Sequence, residues 1–285
     1  MALPVKKIFI DTKYMTTDSQ STSNFKIQLN RSIEFPDDTS MFINNICIPH
    51  SWWTVEENFN DTMYLKATAN GATYSGVWYK IIKLTPGIYN PSSLAAEIQT
   101  KMVAATNETT RTNIFNCTWN SANNLITISV NYLDTKFQIL TSSDLKTKLN
   151  GSWLGPDFNI NYLYDCNELI SNLTSNTYDY NNPYKGVVNL QPIRNIYIHS
   201  GNLSVFQTMG PTPDACTCIK KVPVNADVGQ YIFYDEFLMT DVLDCSKQSI
   251  SVLEFTLRDS KGNIINLHNN NSSFSIGFVK QDMEF

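Results

Sequence analysis

Between Ser249 and Val279 the chain reads SISVLEFTLRDSKGNIINLHNNNSSFSIGFV. Leu253, Phe255 and Leu257 alternate with Glu254, Thr256 and Arg258, the period of a strand with one buried and one wet face. Asp259-Ser260-Lys261-Gly262-Asn263 supplies turn chemistry, Gly262 being free to take φ > 0. Ile264 to Leu267 reads as a short returning strand and Asn269-Asn270-Asn271 as a second turn, after which Phe274, Ile276 and Phe278 alternate again. A meander of this kind cannot bury its apolar face alone, so the rest of the chain has to supply a second sheet or close a barrel. Strands this strong so late in the chain imply pairing with strands far upstream, as in Greek-key and jelly-roll topologies.

Upstream, the same period recurs. Ile8-Phe9-Ile10 is a short apolar piece, followed by the polar run Thr16 to Asn24, which has nothing to bury and reads, with what precedes it, as an extended N-terminal arm or loop over residues 1–24, either a frayed terminus or an arm that docks on a neighbouring subunit. Phe25, Ile27 and Leu29 alternate, and Met41 to Ile48 is a denser strand ended by Pro49. Further strands are expected over Met63–Ala67, Trp78–Leu84, Ile114–Trp119, Leu125–Val130 and Phe137–Leu140. The pattern changes once. Leu94, Ala95, Ile98 and Met102 share a helical face, with Ser92 and Ser93 as candidate caps. A helical turn capped by Ser142-Ser143-Asp144 is expected through Leu149. Residues 150–185 are rich in Asn, Tyr and Gly and read as long loops, with a short helix over Asp165–Leu173. The strand signal returns over Ile193–His199, Cys218–Val224 and Tyr231–Tyr234, with a surface loop over Met209–Asp214. Two strand-rich ends around a middle with its own helix and hairpin define an all-β jelly-roll sandwich with an inserted, mostly-β module. The expected division is an arm at 1–24, a jelly roll at 25–59 plus 186–285, and the insert at 60–185.

Composition narrows the function. Charged residues are only 16% of the 285, below the usual quarter, so the polar surface has to come from Asn, Ser, Thr, Tyr and Gln. The net charge of −5 and the lack of a basic run argue against a specific nucleic-acid partner. The start, MALPVKKIFIDTKY, has too short an apolar piece for a signal peptide, and no window reaches the ~20 apolar residues of a membrane span. A reducing compartment is therefore expected, and the six cysteines read as free thiols; Cys216 and Cys218 are too close to bridge and have no second pair to complete a zinc site. The matches to the glycosylation pattern at Asn107, Asn172 and Asn202 are expected by chance in such a chain.

Catalytic chemistry finds little purchase. His50, His199 and His268 stand alone, without the spacing of a cupin metal site. No nucleophile sits in a G-x-S-x-G setting, and there is no phosphate-binding or dinucleotide glycine pattern. The adjacent pairs Glu56-Glu57 and Asp235-Glu236 read as solvated loop residues. No enzyme, cofactor or metal is expected. The neighbouring Trp52 and Trp53 point to opposite faces of an extended segment, so one can be exposed: either both cap the core at a sheet edge, or one serves as an anchor at a subunit interface.

Five stretches carry a resemblance: FIDTKYMTTDSQSTSNFKIQL, ICIPHSWWTVEENFND, LTPGIYNPSSLAAEIQ, IRNIYIHSGNLSVFQTMGP and VLEFTLRDSKGNIINLHNNNSSFSIGF. In this order they resemble the penton (minor capsid) proteins of Polinton/Maverick-type elements, adintoviruses and virophages. The resemblance implies a jelly roll that forms homopentamers at the five-fold vertices of an icosahedral virion, beside a double jelly-roll major capsid protein. It also implies assembly inside the host cell, and an inserted module that projects outward and can meet a host surface ligand. A five-membered ring needs a heterologous interface, in which two different faces of the subunit meet. The alternative from another class is a carbohydrate-binding β sandwich, whose exposed Trp and Tyr would stack on sugar faces. A second structural alternative is another capsid component, such as a cement protein.

Overall fold

The computed structural model describes residues 6–36, 38–71, 75–106, 111–141, 144–145, 165–203, 217–236, 241–246 and 249–280. The expected helical turn after Ser142, much of the 150–185 loop, the loop at Met209–Asp214 and Cys216 fall wholly or largely outside them.

The chain divides into two compact units, Met1–Trp52 with Ile193–Phe285, and Trp53–Pro192. The divisions fall at 52/53 and 192/193, where 59/60 and 185/186 were expected. The first unit begins with β1 (Lys6–Asp11), a 3-10 turn (Thr12–Tyr14), β2 (Asn24–Glu34) and β3 (Thr39–Pro49). The second holds β4 (Thr62–Asn70), β5 (Ser75–Lys83), α1 (Pro91–Thr106), β6 (Phe115–Asn120), β7 (Leu125–Val130), β8 (Thr135–Leu140), β9 (Tyr178–Asp179) and β10 (Tyr184–Val187). The first unit then resumes with β11 (Asn195–His199), β12 (Cys218–Pro223), β13 (Tyr231–Tyr234), β14 (Leu243–Asp244), β15 (Ser249–Arg258) and β16 (Ser273–Lys280).

In the first unit, one sheet runs β1-β16-β3-β13, with β14 also on β3, and the other runs β12-β11-β15-β2. Every ladder is antiparallel. Leaving the two-residue β14 aside, the first strand of the unit pairs with the eighth, the second with the seventh, the third with the sixth and the fourth with the fifth. That nesting is a long hairpin rolled into two facing sheets, the jelly roll. Phe25 of β2 and Phe255 of β15 lie 5.5 Å apart, and Phe274 of β16 in the opposite sheet meets Phe255 edge-on at 4.9 Å. These rings join the two inner faces of the sandwich, each packing against a partner it could not reach within its own sheet.

Two expectations change here. The closing stretch is no meander: β15 and β16 belong to different sheets, and Ile264–Leu267 contributes only an isolated bridge to Arg258. The Asp259 side chain accepts from the backbone N–H of Lys261 and Asn263 (2.8 and 2.9 Å), which turns the chain out of the β12-β11-β15-β2 sheet. Ile265 and Leu267 are buried as it crosses to the β1-β16-β3-β13 sheet. Nor is 1–24 an arm. β1 completes the edge of its sheet against β16, with Ile10 in the core. The polar run that follows satisfies its own backbone: Lys26 N–H donates to Ser19 Oγ, and Thr16 N–H to the Lys26 carbonyl. Ser, Thr and Asn side chains that bond locally replace the apolar burial such a segment lacks.

The second unit packs the sheets β5-β4-β8-β9 and β10-β7-β6 with α1 around one apolar cluster. Phe115 of β6 meets Phe137 of β8 edge-on at 5.4 Å, and Leu94, Ile98 and Met102 supply the buried face of α1. The cap of α1 is Asn90, not Ser92 or Ser93. Asn90 Oδ1 accepts from Ser93 N–H (2.8 Å), Ser93 Oγ accepts from Asn90 N–H (3.0 Å), and Pro91 occupies the first helical position. Asp165–Leu173 forms turns rather than a helix, because Asn167 and Asn172 direct their side-chain amides to the carbonyls of Leu140 and Ile139 on β8.

Candidate functional site

Among the described residues, the side chains that could do chemistry lie apart from one another. His50 follows β3, is buried, and has Nδ1 2.7 Å from the Ala226 carbonyl; its ring lies 4.1 Å from that of Trp52. Burial lowers its pKa against the opposing pull of the Ala226 bond and of Asp227. His199 ends β11 with Nδ1 3.1 Å from Thr217 Oγ1, and His268 sits at φ 49° in the crossing segment. Among the described residues no three His, Cys, Asp or Glu side chains gather as a metal site would require. Cys47, Cys117, Cys166, Cys218 and Cys245 are free thiols, and burial pushes those of Cys117 and Cys245 up to about 12, far from the thiolate a nucleophile needs. Of the adjacent carboxylates, Glu56 accepts from Trp53 N–H at 2.6 Å and holds a local turn, and Asp235 accepts from the N–H of Asn45, the positive-φ residue within β3, at 3.0 Å.

A hollow of about 190 Å3 opens on the β12-β11-β15-β2 sheet beside His199, Lys26, Glu254, Thr256 and Arg258. Several of its polar side chains are engaged within the chain: Lys26 pairs with Glu254 at 3.0 Å, Thr256 bonds Asn24 at 3.3 Å, and Arg258 donates to the backbone carbonyl of Gly262 at 2.8 Å.

Exposed aromatic side chains are the more informative feature. Trp52 is 2% exposed and belongs to the core of the roll, whereas Trp53 retains 36% of its surface. On the roll, the outward positions of β1 and β13 carry Phe9 (76% exposed), Tyr231 (52%) and Phe233 (67%), and Tyr14 beyond β1 is also exposed. Between them Phe42 of β3 lies against Gly277 of β16, whose missing side chain leaves room for the ring. The sequence reads Tyr231–Tyr234 as a strand, but Tyr-Ile-Phe-Tyr carries no polar–apolar alternation, so only the structure shows that Tyr231 and Phe233 are the outward pair.

Fold and surface together define an eight-stranded jelly-roll protein carrying an inserted unit between its third and fourth strands and aromatic side chains along one sheet. No family model matches the chain, and no curated protein matches it. Among solved structures it is similar to the mavirus penton protein, at 11% identity and TM-score 0.48 over 96% of this chain and 99% of that one. It is also similar to a chain of the Sputnik virophage structure, at 11% identity and TM-score 0.44 over 96% and 98%. The jelly-roll assignment rests on strand order and register alone.

Proposed function

We propose that this protein is a structural subunit of a viral capsid: a penton, or minor capsid, protein forming homopentamers at five-fold vertices beside a double jelly-roll major capsid protein. The observation that carries the reading is the nested strand order of the roll, interrupted between β3 and β11 by a unit with its own core. The five stretches that resemble such pentons support it: in chain order they fall on β1 and β2, on the end of β3, on the entry to α1, on β11, and on β15 with β16. Raised thiol pKa values and histidines held in separate structural bonds favour a mechanical role over a catalytic one. The function is to close a shell where its curvature is five-fold, the roll supplying lateral contacts and the inserted unit any contact with a host surface. In this proposal Trp53 is one contact between subunits and Trp52 supports it from the core.

Light scattering on a sizing column tests the reading. A mass about five times that of the 32.3 kDa chain supports a five-membered ring. A chain that stays monomeric alone and with the major capsid protein, and that binds a glycan array, would replace it with the carbohydrate-binding reading.

A further inference from the structure

The β1-β16-β3-β13 sheet ends in two edge strands of opposite character. The β1 edge presents Lys6, Lys7 and Phe9 and continues into Lys13 and Tyr14, all exposed. The one acid in that stretch, Asp11, accepts from the backbone N–H of Lys13 at 2.9 Å. The β13 edge presents Tyr231 and Phe233, bordered by exposed Asp227, Asp235 and Glu236. From Asn225 to Glu236 the sequence has no basic residue. The nearby Lys220 is buried, bonded to the Glu236 carbonyl at 3.0 Å and paired with Asp241. Among the described residues β1 pairs only with β16 and β13 only with β3, so each edge turns one row of backbone groups away from the ladder.

Soluble chains normally blunt such edges, and exposed aromatics on them mark association. Sign decides which association. Setting β1 against β1 opposes two edges of net positive charge, and β13 against β13 opposes carboxylates to carboxylates. Only β1 against β13 joins opposite charges and brings Phe9 and Tyr14 toward Tyr231 and Phe233. That contact is heterologous, so it repeats from copy to copy until it closes a ring or grows as a filament. We infer that the β1 edge of one chain docks on the β13 edge of a second copy of this chain. The inference rests on the self-assembly proposed above and assigns its two surfaces.

Charge reversal tests it on the full chain. Lys6→Glu with Lys13→Glu reverses one edge and Asp227→Lys with Glu236→Lys the other, leaving untouched Lys7, which lies over the Phe9 ring, and Asp235, which accepts from Asn45 N–H; of the substituted carboxylates Glu236 gives up a 3.3 Å bond from the Tyr234 hydroxyl. Each pair alone is expected to weaken association at least tenfold by sedimentation, and all four substitutions in one chain are expected to restore it. Mixing the two reversed chains restores contacts only where they alternate, so a five-membered ring always keeps one mismatch and stays weaker than the combined variant. Unchanged assembly in both reversed chains would overturn the edge contact while leaving the capsid reading intact. A native chain that never self-associates, alone or with the major capsid protein, would overturn both. Should a reversal unfold the chain, as read by thermal melting, Lys6→Gln with Lys13→Gln and Asp227→Asn with Glu236→Gln neutralise one edge each; each pair is then expected to weaken association, and unchanged assembly in both would overturn the edge contact.

Discussion

At Gly186, in β10, a methyl group has nowhere to go: a Cβ would overlap the Ile170 carbonyl oxygen and the Tyr184 ring. Tyr184 is buried and its hydroxyl donates to that same carbonyl at 2.5 Å. Gly186→Ala must displace backbone or break the bond, and a loss of about 1–3 kcal/mol is expected in chemical denaturation. Trp52→Ala should cost about 3–5 kcal/mol, because a large buried side chain leaves a cavity. Trp53→Ala should shift the melting temperature less than Trp52→Ala while weakening assembly, which separates a core residue from a contact residue. His50 sets a pH dependence whose sign is fixed by burial. Its folded pKa lies below the ordinary value of about 6.5. Above that pH both states are neutral at this position. As the pH falls through it, the unfolded chain takes up a proton that the folded chain resists, and stability declines. Melting the native chain and a His50→Phe variant between pH 7.5 and 5.5 should show the steeper fall in the native chain.

Among the elements, α1 and β1 show how short signals act. The reciprocal bonds of Asn90 and Ser93 satisfy donors that a helix start leaves open. Asn90→Ala is expected to cost about 1 kcal/mol, read as a lower melting temperature. Asn-Pro ahead of an apolar helical face carried that cap in the sequence, but two serines nearby offered the same chemistry, and only the backbone geometry chose between them. β1 was harder to read. Its burial pattern leaves half of the strand exposed and only one residue buried, so a sequence of three apolar residues among lysines looks like a frayed end. Pairing with β16 makes it a strand, and that partner lies at the other end of the chain.

For the whole molecule, two apolar cores lie in two units, one of them continuous in sequence from Trp53 to Pro192. A fragment spanning that unit is expected to unfold cooperatively on its own, as a domain with its own core should. A broad, non-cooperative melt in calorimetry would show that it depends on the roll.

What the sequence determined was local: where strands run, which of their faces are apolar, the place of the one long helix, and that β15 and β16 need partners far upstream. Period-two alternation records burial residue by residue, so these features survive without any knowledge of contacts. Alternation has no record of which sheet a strand joins. The assignment of β15 and β16 to opposite sheets, the sheet role of β1, the burial of Trp52 beside an exposed Trp53, and the meeting of a basic and an acidic edge on one sheet were decided only by tertiary structure. Each depends on pairing between residues far apart in the chain, where register and packing, not local preference, select the partner.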